Sequence, residues 1–344
     1  MISNGNRVDE FWRSHNFRME PWGNNYEQPI QIVEDLALSE SDVNPTVETE
    51  DWENFESPKA RSLPNHLIFI DGRRRIDAPL VGGDGNSITY GVFGTIAVGA
   101  VLVDRTIPQA SCTEISIRRV LGFGGEQEAI STLIPCPLGS KAKLLYEAVK
   151  RKSENTPLSR TLIVQTEMLA AEEELVKKVA TKDANTLVIR DGPLRYESPI
   201  FTLGYVKTMH KNYLTEKYAA LLWQLLPGQR TPIFKINIQN KSRLSWYLKS
   251  GNSQHSPQKA YHDLHGIVRL ELSGNTPWLE AQEIANRSTD LIPKYASHPS
   301  RDPRAPQNLT PVGALERELG RYMGDAGVIQ RRVQHFLASC GGSK

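Results

Sequence analysis

The sequence predicts an α/β fold in which a mixed β-sheet is flanked by helices, and three features of the chain predict it. Three strands follow one another from residue 67 onwards. A long helix candidate, Leu158 to Lys178, comes next and has no Pro or Gly in its interior. A short apolar strand, Thr186 to Ile189, then leads to Asp191. This order, followed by further mixed helices and strands, is that of the ribonuclease H-like fold.

The first three strands are predicted from β-branched, apolar segments. Leu67 to Ile70 forms a strand that ends at Asp71-Gly72, and Ile88 to Val103 forms one long strand or two paired strands. Ile115 to Leu121 alternates between apolar and polar residues and predicts another strand. Together they predict an antiparallel meander.

The remaining segments alternate between the two kinds of structure. Lys141 to Lys152 is predicted to be helical. Further strands are predicted at residues 203–207, 232–238 and 266–272, and further helices at residues 214–226, 279–287, 312–323 and 328–337. We expect residues 1–65 to form a helical and irregular N-terminal arm and linker, and residues 66–340 to form the main domain with a helical C-terminal region.

Composition restricts the class of protein. The chain has 344 residues, of which 39% are hydrophobic and 23% are charged, and this is a globular composition. Its formal net charge is +2, so a nucleic-acid binder of this kind must concentrate basic residues locally. The three cysteines form no CxxC pair, and neither a signal peptide nor a membrane span is evident. We therefore expect a soluble, cytoplasmic protein.

Two segments share a pattern that is suited to metal binding. In each, an apolar strand is followed by Asp-Gly, at Asp71-Gly72 and at Asp191-Gly192. If the two strands are neighbours, both carboxylates lie at the same edge of the sheet, where they can bind hard divalent cations such as Mg²⁺ or Mn²⁺. A single Asp-Gly of this kind is usually only a turn. Two of them on either side of a carboxylate-rich helix predict a metal site.

The long helix offers a third carboxylate for this site. Glu167 is isolated in an uncharged stretch and is predicted to face the packed side of the helix, so it is the preferred ligand. Glu174, two turns later, is the second choice. Glu172 and Glu173 are interpreted as part of a solvated helix face.

Basic residues follow both acidic strands. They are either ordinary solvated loop residues or a phosphate clamp beside the metal site. Lys207 is preferred for that role because it ends an apolar strand; the full set is Arg73, Arg74, Arg75, Lys207, His210 and Lys211.

Several of these pieces, taken in order, resemble the NurA nuclease family. The matching pieces are Phe69 to Gly72, Arg160 to Glu167, Leu187 to Leu194, Gly204 to Lys207, Gly266 to Leu272 and Arg304 to Leu315. They cover roughly residues 65–335. The resemblance implies a ribonuclease H-like nuclease domain, manganese-dependent cleavage of DNA, a homodimer, and a partnership with a HerA-type hexameric translocase ATPase. It also implies that Asp71, Glu167 and Asp191 are metal ligands.

The chain departs from the family pattern at one position. The closing motif of the family carries a catalytic histidine where this sequence has Gly313. Either another histidine, such as His265 or His298, serves instead, or the site works with three carboxylates, or it is weakened or inactive.

Three hypotheses follow from these observations. The first is a divalent-metal-dependent DNA nuclease in which Asp71 and Asp191 bridge the ions, Glu167 completes the site and Lys207 holds a phosphate. The second is a non-catalytic DNA-binding or adaptor subunit, which the missing histidine favours. The third is a nuclease acting on RNA, because a carboxylate site does not distinguish the sugars.

The predicted arm is poor in aliphatic residues but rich in aromatic ones. Such a stretch cannot build its own core, so its aromatic side chains need a surface. That surface is either the sheet of this chain, or a second copy or a ring-shaped ATPase. The aromatic residues concerned are Phe11, Trp12, Trp22, Trp52 and Phe55.

Overall fold

The computed structural model describes residues 4–20, 42–83, 87–136, 143–151, 153–181, 183–194, 198–208, 213–238, 241–251, 264–298, 300–302 and 304–341. Its helices are α1 (Asn4–Ser14), α2 (Ser159–Val179), α3 (Glu216–Ala219), α4 (Trp278–Tyr295), α5 (Thr310–Tyr322) and α6 (Ala326–Gly341). Its strands are β1 (Arg18–Met19), β2 (Val43–Asn44), β3 (His66–Gly82), β4 (Thr89–Asp104), β5 (Gln109–Phe123), β6 (Thr132–Ile134), β7 (Leu144–Ala148), β8 (Thr186–Asp191), β9 (Thr202–Val206), β10 (Phe234–Ile238), β11 (Lys241–Lys249) and β12 (Ile267–Ser273).

The strands form a mixed sheet in the order β2-β10-β11-β12-β9-β8-β3-β4-β5-β7-β6, with β1 paired to β3. Strands β3, β4 and β5 are the predicted antiparallel meander. Strand β8 pairs in parallel with β3 on one side and with β9 on the other. The α/β class, with a mixed sheet between helices and a helical C-terminal region, is confirmed. The order β5-β4-β3-β8-β9 places the two acidic strands side by side.

Helices cover both faces of the sheet, because successive side chains of a strand point to opposite faces. On one face, Ile70 and Val188 pack against α2 residues that include Val164 and Val176. On the other face, Phe69 and Ile189 belong to the core that α4 and α5 complete, with Ile284 and Leu315 among its members. Each strand therefore presents odd and even positions to different helices.

Three sequence-based expectations are wrong. Strand β3 does not end at Asp71-Gly72 but continues to Gly82, because β4 pairs with it along its length. Residues 144–148 of the predicted helix Lys141 to Lys152 form strand β7, in which buried Leu144 and Tyr146 flank exposed Leu145 with a strand period of two. Strand β11 was not predicted, and α3 with the 3-10 turn Ala220–Trp223 covers only part of the helix expected at residues 214–226.

The described aromatic residues of the arm pack on this chain itself. Trp12 stacks on Phe93 of β4, with ring centroids 5.5 Å apart. The ring centroids of Trp52 and Tyr218 lie 4.9 Å apart, and the Arg230 guanidinium lies over the Phe55 ring. Trp22 lies outside the described residues.

In the part of the chain that the structure describes, no helix combines the length and the apolar character that crossing a bilayer requires.

Candidate metal centre

Asp71 and Asp191 come together because their strands are parallel neighbours. His66 to Ile70 of β3 pair in register with Thr186 to Arg190 of β8, so the two aspartates occupy the next position on each strand. Phe69 and Ile189, two residues earlier, point into the core beneath α4 and α5. Asp71 and Asp191 therefore point to the same face, towards α5.

Helix α5 brings a third carboxylate to this pair. One carboxylate oxygen each from Asp71, Asp191 and Glu316 lie within 4.8 Å of one another. Glu316 is held there because the neighbouring Leu315 and Leu319 are buried against the sheet. The Arg73 guanidinium also donates a 3.2 Å hydrogen bond from Nη1 to the backbone carbonyl of Glu316. Strand β3 thus contributes Asp71 to the cluster, and through Arg73 it also binds the helix that contributes Glu316.

The cluster has the electrostatic character of a cation site. Asp71 is 7% exposed, and its Oδ2 is buried without a hydrogen-bond partner. Burial, followed by the negative charges of Asp191 and Glu172, raises the pKa of Asp71 well above its ordinary value. A buried, unpartnered carboxylate oxygen beside other carboxylates is unfavourable unless a proton or a cation compensates it. The oxygen-only ligand set suits a hard divalent ion such as Mg²⁺ or Mn²⁺.

Two cationic side chains flank the carboxylates. Lys207 Nζ lies 2.7 Å from Asp191 Oδ2. Burial, the largest single influence, lowers the pKa of Lys207, but the charge and hydrogen bond of Asp191, together with the charges of Asp71 and Glu316, raise that pKa above the ordinary value. Arg304, which is more than half exposed, lies with Nη2 3.7 Å from Glu316 Oε2. The site therefore combines three acidic residues with two cations at its margin.

A comparison with protein-family models identifies the family. The NurA domain model matches residues 96–310, which is more than half of the chain. The chain belongs to the NurA family. NurA proteins are nucleases that work on DNA and depend on a metal ion, so membership gives this chain a nuclease-family function as a nucleic-acid hydrolase. No curated protein matches the chain.

The match to the NurA domain does not span the whole cluster. Asp191 and Lys207 lie within the matched residues 96–310. Asp71 precedes them and Glu316 follows them. The acidic cluster therefore joins the matched region to the segments on either side of it.

The glutamates of α2 are not part of the cluster in this NurA-family chain. Glu167, the sequence-predicted third ligand, accepts a 2.5 Å hydrogen bond from Arg151 Nε and lies 3.8 Å from Arg118. Glu172 accepts hydrogen bonds from Arg190 of β8, at 2.9 Å from Nη2 and 3.2 Å from Nε. Arg190 pairs in register with Ile70, the residue before Asp71, and Ile70 faces α2. These ion pairs therefore lie on the side of the sheet opposite to Glu316.

One interpretation of the α2 glutamates is wrong. Glu172 and Glu173 do not lie on a solvated helix face, because both are buried. Glu172 pairs with the buried Arg190 at 2.9 Å, whereas neither carboxylate oxygen of Glu173 has a hydrogen-bond partner, and Lys177 and Arg190 lie 3.7 and 3.8 Å from it. The third of these residues, Glu174, is exposed.

The arginine triplet is divided between the two faces of the sheet. Arg73 and Arg75 point to α5, where Arg75 donates hydrogen bonds to the backbone carbonyls of Gly324 and Met323 at its end. Arg74 points to α2 and donates to Gln165 Oε1 at 2.5 Å. The triplet lies within strand β3 and not in a solvated loop. His210 and Lys211 lie outside the described residues.

The segment that matches the closing motif of the family lies next to the cluster. The Tyr205 hydroxyl, in register with Asp191 on β9, donates a 2.5 Å hydrogen bond to the Gln307 carbonyl. Gly313 lies on α5, one turn before Glu316. Among the described residues, neither His265 nor His298 joins the acidic cluster.

Glu316 is the candidate ligand that sequence reasoning missed. The signal was present: it lies next to a buried leucine on an amphipathic helix, three residues after the position of the expected histidine. This signal could not identify Glu316 as a ligand without the knowledge that α5 packs on β3.

Proposed function

We propose that this chain is a divalent-metal-dependent DNA nuclease, and that Asp71 and Asp191 hold an Mn²⁺ or Mg²⁺ ion. The observation that carries the proposal is the buried, unpartnered Asp71 carboxylate oxygen within a cluster of three carboxylates. Membership of the NurA family supports the same activity. The proposed nuclease domain spans residues 66–340, and residues 1–65 form the arm and linker.

The residues of the site have distinct proposed roles. A divalent ion bound to these carboxylates supplies an activated water and stabilises the charge on the leaving oxygen of a phosphodiester. Asp71 and Asp191, which lie on two adjacent parallel strands, would hold that ion. Lys207, the cation next to Asp191, is placed to hold a phosphate of the DNA backbone.

A cleavage assay on linear duplex DNA tests this function. We expect cleavage with Mn²⁺ or Mg²⁺, and none after chelation with EDTA, because the carboxylates alone cannot activate water. Single-stranded RNA of the same sequence, assayed in parallel, measures the preference between DNA and RNA. Equal cleavage of DNA in EDTA and in Mn²⁺ would exclude metal dependence, and faster cleavage of RNA would exclude DNA as the main substrate.

An adaptor role is the second candidate function, and Gly313 is the observation that favours it. A NurA-family chain without the family histidine could bind metal and DNA without cutting. Saturable Mn²⁺ binding together with complete absence of cleavage, on duplex and single-stranded DNA alike, would favour the adaptor over the nuclease.

We further propose that the protein is a homodimer that works with a HerA-type hexameric translocase ATPase in the cytoplasm. The family supports the partner, and the low net charge fits a nuclease to which a motor delivers DNA. All three cysteines are free, in keeping with a reducing compartment. Size-exclusion chromatography with light scattering measures the oligomeric state. A monomer at micromolar concentration, with no co-elution of the ATPase, would contradict both proposals.

A further inference from the structure

We infer that Glu316 of α5 is the third carboxylate ligand of the metal. It takes the place of the family histidine, which this chain replaces with Gly313. This inference rests on the proposed metal-dependent function. It assigns the third ligand to α5 and not to the glutamates of α2.

The first argument is the geometry of the cluster. The oxygens of Glu316, Asp71 and Asp191 lie within 4.8 Å of one another. Hard divalent ions form bonds of about 2.0 to 2.6 Å to oxygen, so one ion can contact oxygens that are about 4 to 5 Å apart. The three side chains can therefore share one ion without a movement of the backbone.

The second argument is that α5 is firmly fixed to the sheet at this point. Gly99 of β4 leaves room for α5, since a Cβ there would lie 3.2 Å from both Leu315 and Leu319. Gly320 allows equally close contact, because a Cβ there would lie 2.8 Å from Arg73 Nη1. The hydrogen bond from Arg73 to the Glu316 carbonyl fixes the height of the helix along β3. A ligand on such a helix is pre-organised relative to Asp71.

The third argument is that the competing carboxylates already have cationic partners on the other face. Glu167 is bound by Arg151, and Glu172 is bound by the buried Arg190. Glu172 contributes to the raised pKa of Asp71, so its charge is felt at the site, but its carboxylate is oriented by Arg190. Glu316 has Arg304 at 3.7 Å, and that arginine is mostly exposed and can turn away.

The fourth argument concerns Gly313 itself. It lies one turn before Glu316, and residues three apart on a helix share a face. A Cβ at Gly313 would meet nothing closer than Arg317 Nη1, at 3.9 Å. The position therefore has space for a larger side chain, and a histidine there would emerge on the side of the helix that carries Glu316.

The test compares Glu316→Gln with Glu318→Gln, a matched control on the same helix whose carboxylate pairs with Arg321. Mn²⁺ affinity is measured by isothermal titration calorimetry, and cleavage is measured on linear duplex DNA. We expect Glu316→Gln to weaken Mn²⁺ binding by at least about tenfold and to slow cleavage by roughly 100-fold. Glu318→Gln should match the wild type in both measurements.

A second variant tests whether the two positions share a role. Adding Gly313→His to Glu316→Gln should recover Mn²⁺ affinity and part of the cleavage rate. No recovery in a variant whose circular dichroism matches the wild type would overturn the replacement of histidine by Glu316.

The outcomes separate this inference from the proposed function. If the wild-type protein neither binds Mn²⁺ nor cleaves DNA, the proposed function fails. If the wild type does both and Asp71→Asn does neither, while Glu316→Gln behaves as wild type, only the inference is overturned. A larger loss for Glu172→Gln than for Glu316→Gln would likewise overturn it and assign the third ligand to α2.

Discussion

The two faces of the central sheet both carry carboxylates beside strands β3 and β8, and their surroundings differ. On the α2 face, Glu167 and Glu172 are each bound by an arginine at hydrogen-bonding distance. On the α5 face, Asp71 has an unpartnered buried oxygen, and one carboxylate oxygen each from Asp71, Asp191 and Glu316 lie within 4.8 Å of one another. Compensated carboxylates serve the fold, whereas an acidic cluster without full compensation stores unfavourable energy that a cation can relieve.

This contrast shows why the number of acidic residues is a poor guide to a metal site. Helix α2 has four glutamates between residues 167 and 174, and α5 contributes one to the cluster. What differs is that Glu167 and Glu172 are each hydrogen-bonded to an arginine, whereas Asp71 has a buried oxygen without a hydrogen-bond partner. The predictions below test the contrast from the largest expected effect to the smallest.

The largest effect is expected for the aspartates of the α5 face. Asp71→Ala or Asp191→Ala should reduce the rate of metal-dependent DNA cleavage by roughly 1,000-fold, because each removes an ion ligand. Circular dichroism should be unchanged. The exposed Glu174→Gln on α2 is the matched control and should retain the wild-type rate. Wild-type cleavage by either aspartate variant would show that the site lies elsewhere.

The second prediction concerns the compensated face. Arg190 is 1% exposed and binds Glu172, so Arg190→Met leaves a buried carboxylate without its cation. We expect the free energy of unfolding to fall by about 3 to 5 kcal/mol. Urea denaturation measures it, and the double variant with Glu172→Met should be less destabilised than Arg190→Met alone. A loss below about 1 kcal/mol would mean that the pair is solvated and that the contrast between the faces is overstated.

The third prediction uses the pH dependence of Asp71. Its pKa is raised in the fold, so its contribution to stability is full below the ordinary pKa, of about 3.9, and is lost as pH rises through the folded value. Above that folded pKa the charged carboxylate therefore destabilises the metal-free protein. Asp71→Asn should therefore raise the free energy of unfolding in EDTA, and the gain should grow as pH rises through the folded pKa of Asp71.

Thermal melts with and without Mn²⁺ check this expectation. Mn²⁺ should raise the melting temperature of the wild type and not that of Asp71→Asn. A variant that melts below the wild type in EDTA would show that Asp71 has a stabilising partner in the fold.

The smallest effect is expected for Glu167→Gln. Its partners Arg151 and Arg118 are each more than a third exposed, so the loss of stability should be about 0.5 to 1 kcal/mol. Cleavage should stay within about twofold of the wild type, since Glu167 lies outside the cluster. A loss as large as that of Asp71→Ala would restore Glu167 as the third ligand.

Local patterns were sufficient to predict the central meander, helix α2 and strand β8. These elements have a regular hydrophobic pattern or end at residues that terminate secondary structure, as at Gly192-Pro193. The alternating, short β7 was mistaken for a helix because its buried positions, Leu144 and Tyr146, depend on contacts that the sequence does not display. Strand β3 continues beyond Asp71-Gly72 because it pairs with β4 there, although the Asp-Gly turn signal predicted that the strand would end.

The sequence could predict that Asp71 and Asp191 lie together, because each comes directly after an apolar segment that predicts a strand, and these two strands are parallel neighbours in the sheet. It could not predict the third carboxylate. Glu167 and Glu316 are each one of several glutamates on their helices, and only tertiary packing decides which of them lies close to Asp71.

The hydrogen bond between Arg73 and Glu316 joins residues that are 243 positions apart in the chain. A ribosome adds about 5 to 20 residues per second, so a growing chain holds Asp71 and Asp191 for several seconds before α5 exists. During that interval the nascent protein has two of the carboxylates and not the third. If Glu316 is the third ligand, as proposed above, competence to cut DNA would arise only when α5 has been synthesised and has docked on β3, so an unfinished chain would be inactive.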